Sequence, residues 1–376
     1  MTTSDQHLTT RQAAAVPTQV VTEVARLDQL ATQFEANELS ERTKQLYERD
    51  WNHFAAFCER HNLTPIPASV DTVRWYIADL SRTKSDSGAW TYKASTMVRR
   101  LAAIAWVHKT AGQPNPTRDS RVRSELKGIR RDRQSPTRRM RPLLTDDIRT
   151  VLDRMTFHTW PDGVKALRDA LVIVAEFASG RRSDEIAALR IEDLRRHPKD
   201  GLHLRIRKSK TDQTGEGQTA VVPFGEHPVM CGPCLRLRWL RLLAADGDRP
   251  TMMRLILDAG PADQWDHVCT EPDPDLTGWD SNILLPVLRR WGVIKKAPMS
   301  TDAIYDLVVE RAAAAGYHGG YGSHSLRAGH VTTARRAGAS ARSICNQTGH
   351  SSERTMLVYD REYAPGVDNS ANQLGL

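Results

Sequence analysis

Between Gly322 and Tyr359 the chain gathers His324, Arg327, His350 and Tyr359 within fewer than forty residues. His324 and Arg327 stand three apart, so on a helix they project from one face and can reach the same small anion. An imidazole beside a guanidinium suits a phosphate, because arginine grips phosphate oxygens with a planar fork while histidine can move a proton or donate a hydrogen bond. Tyr359 is the candidate nucleophile. A phenol ionises at about pH 10, so at neutral pH it needs a base and nearby cations before it attacks. Tyr363 could share the helical face of Tyr359, but it follows Asp360, Arg361 and Glu362 and precedes Pro365, whereas Tyr359 closes the apolar run Met356-Leu357-Val358 that can anchor it. A lone His-x-x-Arg pair also occurs on ordinary charged surface helices, so this fragment has to be weighed with the rest of the chain.

The order His324-x-x-Arg327, Gly349-His350, then Tyr359 nine residues past that histidine, resembles the C-terminal signature of the tyrosine recombinases, the phage integrase family. The resemblance implies an upstream arginine in a Gly-x-Arg-x-x-Glu helix start, and a lysine on a β-hairpin between the two arginines. Both patterns are present. Gly180-Arg181-Arg182-Ser183-Asp184-Glu185 makes Arg182 the match and Glu185 its supporting carboxylate, and Lys208-Ser209-Lys210-Thr211 supplies the lysine. Either Lys208 or Lys210 could be the general acid, Lys210 standing closer to the family position.

By that resemblance, Arg182 and Arg327 would clamp the scissile phosphodiester and stabilise the charge of a phosphorane-like transition state. His324 would take the proton of Tyr359, Lys210 would protonate the leaving 5′ oxygen, and His350 would donate to a phosphate oxygen. Tyr359 would become a 3′-phosphotyrosine, reversed by a partner strand's 5′-hydroxyl through a Holliday junction. The covalent link conserves the phosphodiester energy, so no ATP, metal or other cofactor is expected, and no Walker loop is seen. The implied partner is double-stranded DNA with an inverted-repeat recombination site, held by a homotetramer on two sites during integration, excision or resolution of a mobile element. Two other readings use the same residues: a type IB topoisomerase-like enzyme that relaxes DNA as a monomer, and a catalytically silent DNA-binding protein.

Composition points the same way. Lys and Arg number 53 against 45 Asp and Glu, a net +8 with a pI near 9.3, which favours a polyanionic partner. The excess is concentrated between Arg118 and Arg141, where ten basic residues (Arg118, Arg121, Arg123, Lys127, Arg130, Arg131, Arg133, Arg138, Arg139, Arg141) face three acids, a net +7. Such a run is either a solvated charged surface or a basic segment laid along DNA phosphates, where each neutralised phosphate releases counterions. No apolar run approaches the roughly 20 residues of a membrane span, and the N-terminus has no signal-peptide core. A cytoplasmic, nucleoid-associated protein of bacterial, phage or plasmid origin, with no membrane partner, is expected.

The five cysteines are odd in number and scattered, which suits a reducing compartment and not a disulfide framework. Cys231-Gly-Pro-Cys234 invites a metal reading, but zinc needs two more ligands, and His227, His267 and Cys269 stand at no recognised spacing. With Pro233 starting a helix and the thiols packed as small hydrophobes, no metal site is expected. The tryptophans at helical spacing read as core residues.

At 376 residues the chain can bury two sizeable cores. Residues 1–38 are polar with one short helical pattern and are expected to be flexible. Residues 39–134 carry four amphipathic helical patterns, beginning with Ser40 as a cap and Tyr47, Trp51, Phe54 and Cys58 on one face. By the resemblance they form a helical core-binding (SAM-like) DNA-binding domain, followed by a basic linker at 135–142 and a catalytic domain at 143–376. The fold class expected is mainly α with a small β-hairpin, a two-domain DNA clamp whose second domain is α+β. Within that domain Thr145 reads as a helix cap, Ala166 to Phe177 as an apolar helix ending before Gly180, and Leu202, Leu204 and Ile206 as a strand returning through Val221 and Val222, with Lys208 and Lys210 on one strand face. Residues 226–296 suggest no function, and the tail after Tyr359 is expected to dock on a neighbouring subunit.

Overall fold

The computed structural model describes residues 39–133, 139–209, 217–280 and 282–357, with a few isolated positions beyond them. Arg138, Lys210, Tyr359, Tyr363 and the expected docking tail lie outside the described residues, as does most of 1–38. Packing divides the chain into two units, Met1–Thr137 and Arg138–Leu376.

In the first unit the four helical patterns become α1 (Glu41–Arg60), α2 (Val70–Arg82), α3 (Ala94–Thr110) and α4 (Ser120–Arg133). Ser40 caps α1, its hydroxyl accepting the Thr43 N–H at 3.3 Å, and Ser69 accepts the Thr72 N–H of α2 at 3.0 Å. Each supplies a partner that first-turn amides otherwise lack. Phe54, Phe57 and Cys58 of α1, Val73, Tyr76, Ile77 and Leu80 of α2, and Met97 and Ile104 of α3 form one core, closed by Val122 of α4. Spacings of three and four set these side chains on single helix faces. The core also takes in a charge that periodicity does not announce: Asp50 is only 2% exposed, and Arg99 holds it with two bonds of 2.6 and 3.0 Å. That bidentate pair replaces the water the carboxylate gives up.

On α4 the inner stripe is Val122, Leu126 and Ile129, continued by Arg133, which donates to the carbonyls of Tyr92 and Ser81 and lies over the Trp90 ring at 4.6 Å. The outer face exposes Arg121, Arg123, Lys127, Arg130 and Arg131. Trp51, at helical spacing on α1, packs against this core, while Trp75, Trp90 and Trp291 are exposed.

The second unit contains α5 (Thr145–Asp153), α6 (Asp162–Ser179), α7 (Ser183–Ala187), α8 (Gly232–Ala244), α9 (Arg249–Leu257), α10 (Thr301–Ala314), α11 (Ser323–Arg336), α12 (Ala341–Thr348) and α13 (Glu353–Met356). Its centre is α6, buried without interruption from Ala166 to Glu176. A helix apolar on all sides must be surrounded, and α8, α11 and strand β3 (Gln218–Val222) pack against it. The expected hairpin is β2 (Gly201–Ile206) with β3, antiparallel, Leu202 opposite Val222 and Leu204 opposite Ala220. Alternation sends Leu202, Leu204, Ile206, Ala220 and Val222 into the core.

Several local features depart from expectation. A third strand, β1 (Leu194–His197), pairs with β2; only Leu194 is apolar among Leu194-Arg195-Arg196-His197, so alternation gives no signal. β4 (Pro286–Leu288) and β5 (Ile294–Pro298) form a second small antiparallel pair. Strand β2 stops at Ile206, leaving Lys208 exposed beyond it and not on a strand face. Thr145 is not the cap of α5: Leu144 takes that position, and the Asp147 carboxylate accepts its N–H at 2.7 Å. Pro233 does open α8. Three of the five cysteines, scattered along the sequence, meet in space: the sulfurs of Cys231, Cys234 and Cys269 and a ring nitrogen of His267 lie within 4.8 Å of one another. Among the described residues no helix is long and apolar enough to cross a membrane.

Candidate active site

The end of α6 organises the site. Gly180 terminates the helix at φ 60°, and a Cβ there would lie 2.5 Å from Thr348 Cγ2 and 3.0 Å from His330 Cδ2. Only glycine permits both the left-handed turn and this approach of α11 and α12. Arg181, fully buried, then donates to Gln218 Oε1 of β3 at 2.7 Å. Gly349, the left-handed residue after α12, answers it from the other side: a Cβ there would lie 2.3 Å from Arg181 Nη1. Arg181 is thus a positioning residue, and its neighbour Arg182 carries the candidate chemistry.

Arg182 sits at the N-cap of α7, where Glu185 holds it twice. One carboxylate oxygen accepts the Arg182 N–H at 3.1 Å, and the other accepts Nη1 at 3.0 Å. The carboxylate is 1% exposed and the arginine side chain 22%, so the guanidinium is anchored from below and open on one side. Beneath the same turn Ser183 donates to Glu176 Oε1 at 2.9 Å. Burial pushes the Glu176 carboxyl up to about 8, which keeps it protonated at neutral pH and leaves the positive field above it undiminished.

Arg327, on α11 and 3% exposed, donates from Nη1 to the Gly180 and Thr348 carbonyls, both at 2.6 Å. These carbonyls close α6 and α12, and helix C-termini carry partial negative charge that a guanidinium complements. Gln347 adds a second tie, donating to the Ala178 carbonyl at 3.0 Å and accepting the Val221 N–H at 3.1 Å. Three elements are thereby locked around one arginine.

His324, one helical turn from Arg327, exposes its ring, and its pKa lies below the ordinary value through partial desolvation and the charges of Arg327 and Arg182. His350 is pushed down to about 3, by burial first and then by Arg327 and Arg182. Its Nδ1 is 2.6 Å from Thr348 Oγ1, whose own proton goes to the Ile344 carbonyl at 2.7 Å. In that contact Nδ1 carries the hydrogen. Burial first, and then the two guanidiniums, hold both imidazoles below their ordinary range, and an arriving phosphate would offset the guanidinium charge. The assembly can hold a phosphodiester and offer it a neutral base.

Arg182, Glu185, His324, Arg327 and His350 are thus brought together. Lys208 is exposed past β2. Met356 of α13 is fully buried against Val331 and Ile344, which anchors the chain just ahead of Tyr359. Of the basic run, Arg118, Arg121, Arg123, Lys127, Arg130, Arg131, Arg139 and Arg141 are exposed, while Arg133 is engaged internally. Arg181, Glu176, Gln347 and Thr348 were not anticipated. For Glu176 a signal existed, an acid inside an otherwise apolar run.

No protein-family model matches the chain. The integrase/recombinase XerD homolog of Selenomonas ruminantium is 27% identical over 339 residues, covering 89% of this chain and 86% of that protein. The chain is homologous to this integrase/recombinase over most of its length. Tyrosine recombinases are enzymes that cleave and rejoin DNA. Among solved structures, the Tn1549 transposon integrase in complex with transposon right end DNA aligns over 88% of this chain and 92% of its own at 16% identity and a TM-score of 0.49. A lambda integrase dimer bound to a COC′ core site aligns over 88% and 95%, at 13% identity and a TM-score of 0.46.

Proposed function

We propose that this chain is a site-specific DNA recombinase that breaks and rejoins strands through a 3′-phosphotyrosine on Tyr359 and a Holliday junction. The observation that carries the reading is the convergence of Arg182, His324, Arg327 and His350 around the Gly180 turn, in a chain homologous to a recombinase over most of its length. Arg182 and Arg327 bind the non-bridging phosphate oxygens, His324 accepts the Tyr359 proton, His350 donates to a phosphate oxygen from Nε2, protonated once the phosphate has offset the arginine charge, and Lys210 protonates the leaving 5′ oxygen. Electrostatic preorganisation of this kind is usually the largest catalytic term. Residues 39–134 and the basic linker at 135–142 supply sequence-independent affinity for the duplex. The working assembly is a homotetramer on two inverted-repeat sites of a mobile element, in the cytoplasm of a bacterium.

The test starts from duplexes selected for binding out of a random-sequence library. A supercoiled plasmid with two copies of the selected site should yield recombined circles; relaxed topoisomers alone would indicate a topoisomerase-like enzyme, and a mobility shift alone a silent binder. On a nicked suicide duplex, Tyr359→Phe should bind without forming a covalent adduct while Tyr363→Phe still forms one. An adduct peptide mapped to Tyr363 would reassign the nucleophile.

A further inference from the structure

We propose that Cys231, Cys234, His267 and Cys269 form a tetrahedral zinc site that fastens the loop following α9 to the start of α8, apart from the recombination chemistry.

The ligand atoms of these four residues lie within 4.8 Å of one another. Tetrahedral zinc with bonds of ~2.3 Å to sulfur and ~2.0 Å to nitrogen holds its ligands roughly 3.5–3.8 Å apart. The separations of His267 Nδ1 from Cys234 Sγ, 3.3 Å, and from Cys269 Sγ, 4.0 Å, bracket that spacing. The imidazole is also set in the tautomer a metal needs. Its Nε2 is 3.1 Å from the Glu226 carbonyl, which can only accept, so Nε2 bears the hydrogen and the Nδ1 lone pair faces the thiols. Ligating histidines are oriented by such a bond on the far nitrogen.

Packing as small hydrophobes suits Cys231 and Cys234, which are fully buried with Leu237 and Val268, but gives no reason for an imidazole nitrogen among the sulfurs. A disulfide would use two sulfurs and leave the third with the histidine. Three thiolates and one imidazole are a set that selects zinc, and with all four positions filled by protein the ion is structural. Binding releases the three thiol protons and leaves a net charge of −1, beside which Arg196 donates to the Cys269 carbonyl at 2.8 Å and Arg238 to the Asp266 carbonyl at 3.1 Å. Cys234 and His267 are 33 residues apart, so the ion closes a long loop onto α8, the helix that packs against α6.

The test uses the full chain purified without chelator. Elemental analysis should find about one zinc per chain, released by a mercurial thiol reagent, and cobalt exchanged into the site should show thiolate-to-metal charge-transfer and intense tetrahedral visible bands. Cys269→Ser and Cys234→Ser should lose the metal, whereas His203→Ala, in the group of half-buried His197 and His203 with exposed Asp200, should keep it. If the cysteine variants do not fold, the unmutated protein still decides, since a zinc-specific chelator should lower its melting temperature and zinc should restore it. Metal-free protein from zinc-supplemented cells, cobalt spectra without thiolate bands, zinc that follows His203 and not Cys269, or a Cys231–Cys234 disulfide in freshly alkylated lysate would each overturn the proposal.

Discussion

Arg327 and Thr348 are joined at 2.6 Å, guanidinium Nη1 to the carbonyl that ends α12, and the same nitrogen reaches the Gly180 carbonyl at 2.6 Å. One side chain therefore sets the spacing between the turn that bears Arg182 and the segment that bears His350 before any DNA arrives. Such prior placement of charge costs no reorganisation during the reaction.

Arg327→Lys keeps a positive charge but loses the planar fork. It should bind duplex almost normally and cleave a suicide substrate at least ~10²-fold more slowly, the scale of losing one preorganised donor. Its stability should fall by ~1–3 kcal/mol for each buried carbonyl left unpaired. Wild-type cleavage with unchanged melting would remove this bridge from the mechanism.

Glu185→Gln retains the shape but cannot accept from both the Arg182 N–H and its guanidinium with full charge. The expected outcome is about 1 kcal/mol of lost stability, the scale of a helix cap, with cleavage falling more than DNA affinity. Equal losses in both would mean that Glu185 only supports the fold.

Glu176 gives the protein a pH signature. Its pKa is raised from 4.5 to about 8 on folding, so the folded state holds a proton the unfolded state releases, and stability falls as pH rises towards 8. Between pH 6.5 and 8 the loss is on the order of 2 kcal/mol at ~1.4 kcal/mol per pH unit. Glu176→Gln mimics the protonated form and should flatten urea midpoints across that window. The half-buried His330, held at about 4, acts oppositely: stability falls as pH drops from 6.5 towards 4. A variant with the same alkaline slope as wild type would mean that Glu176 is already ionised.

The basic helix divides into two roles. Replacing Lys127, Arg130 and Arg131 with Ala on the exposed face of α4 should weaken binding to specific and random duplexes alike and reduce the salt slope by up to ~0.9 per lost phosphate contact. Arg133→Ala should instead lower the melting temperature, because Arg133 ties α4 to the Ser81 and Tyr92 carbonyls. An unchanged salt slope in the triple variant would take this face off the DNA.

Much was legible in the sequence because it was local. Helix faces in α1 to α4, the apolar α6, the β2–β3 hairpin and the spacing of Arg182, His324, Arg327, His350 and Tyr359 follow from periodicities of 3.6 and 2 and from short motifs, all carried by neighbours along the chain. What only the tertiary structure decided involves residues distant in sequence: Arg327 bridging carbonyls of Gly180 and Thr348, Arg181 crossing to Gln218, Asp50 buried under Arg99, and Cys231 and Cys234 meeting His267 and Cys269. No spacing rule reaches these, because a partner more than twenty residues away is chosen by how the core packs. The exposed Arg130 and the engaged Arg133 show the same limit at short range, since in a run of like charges only burial tells which side chain the fold consumes and which it leaves exposed.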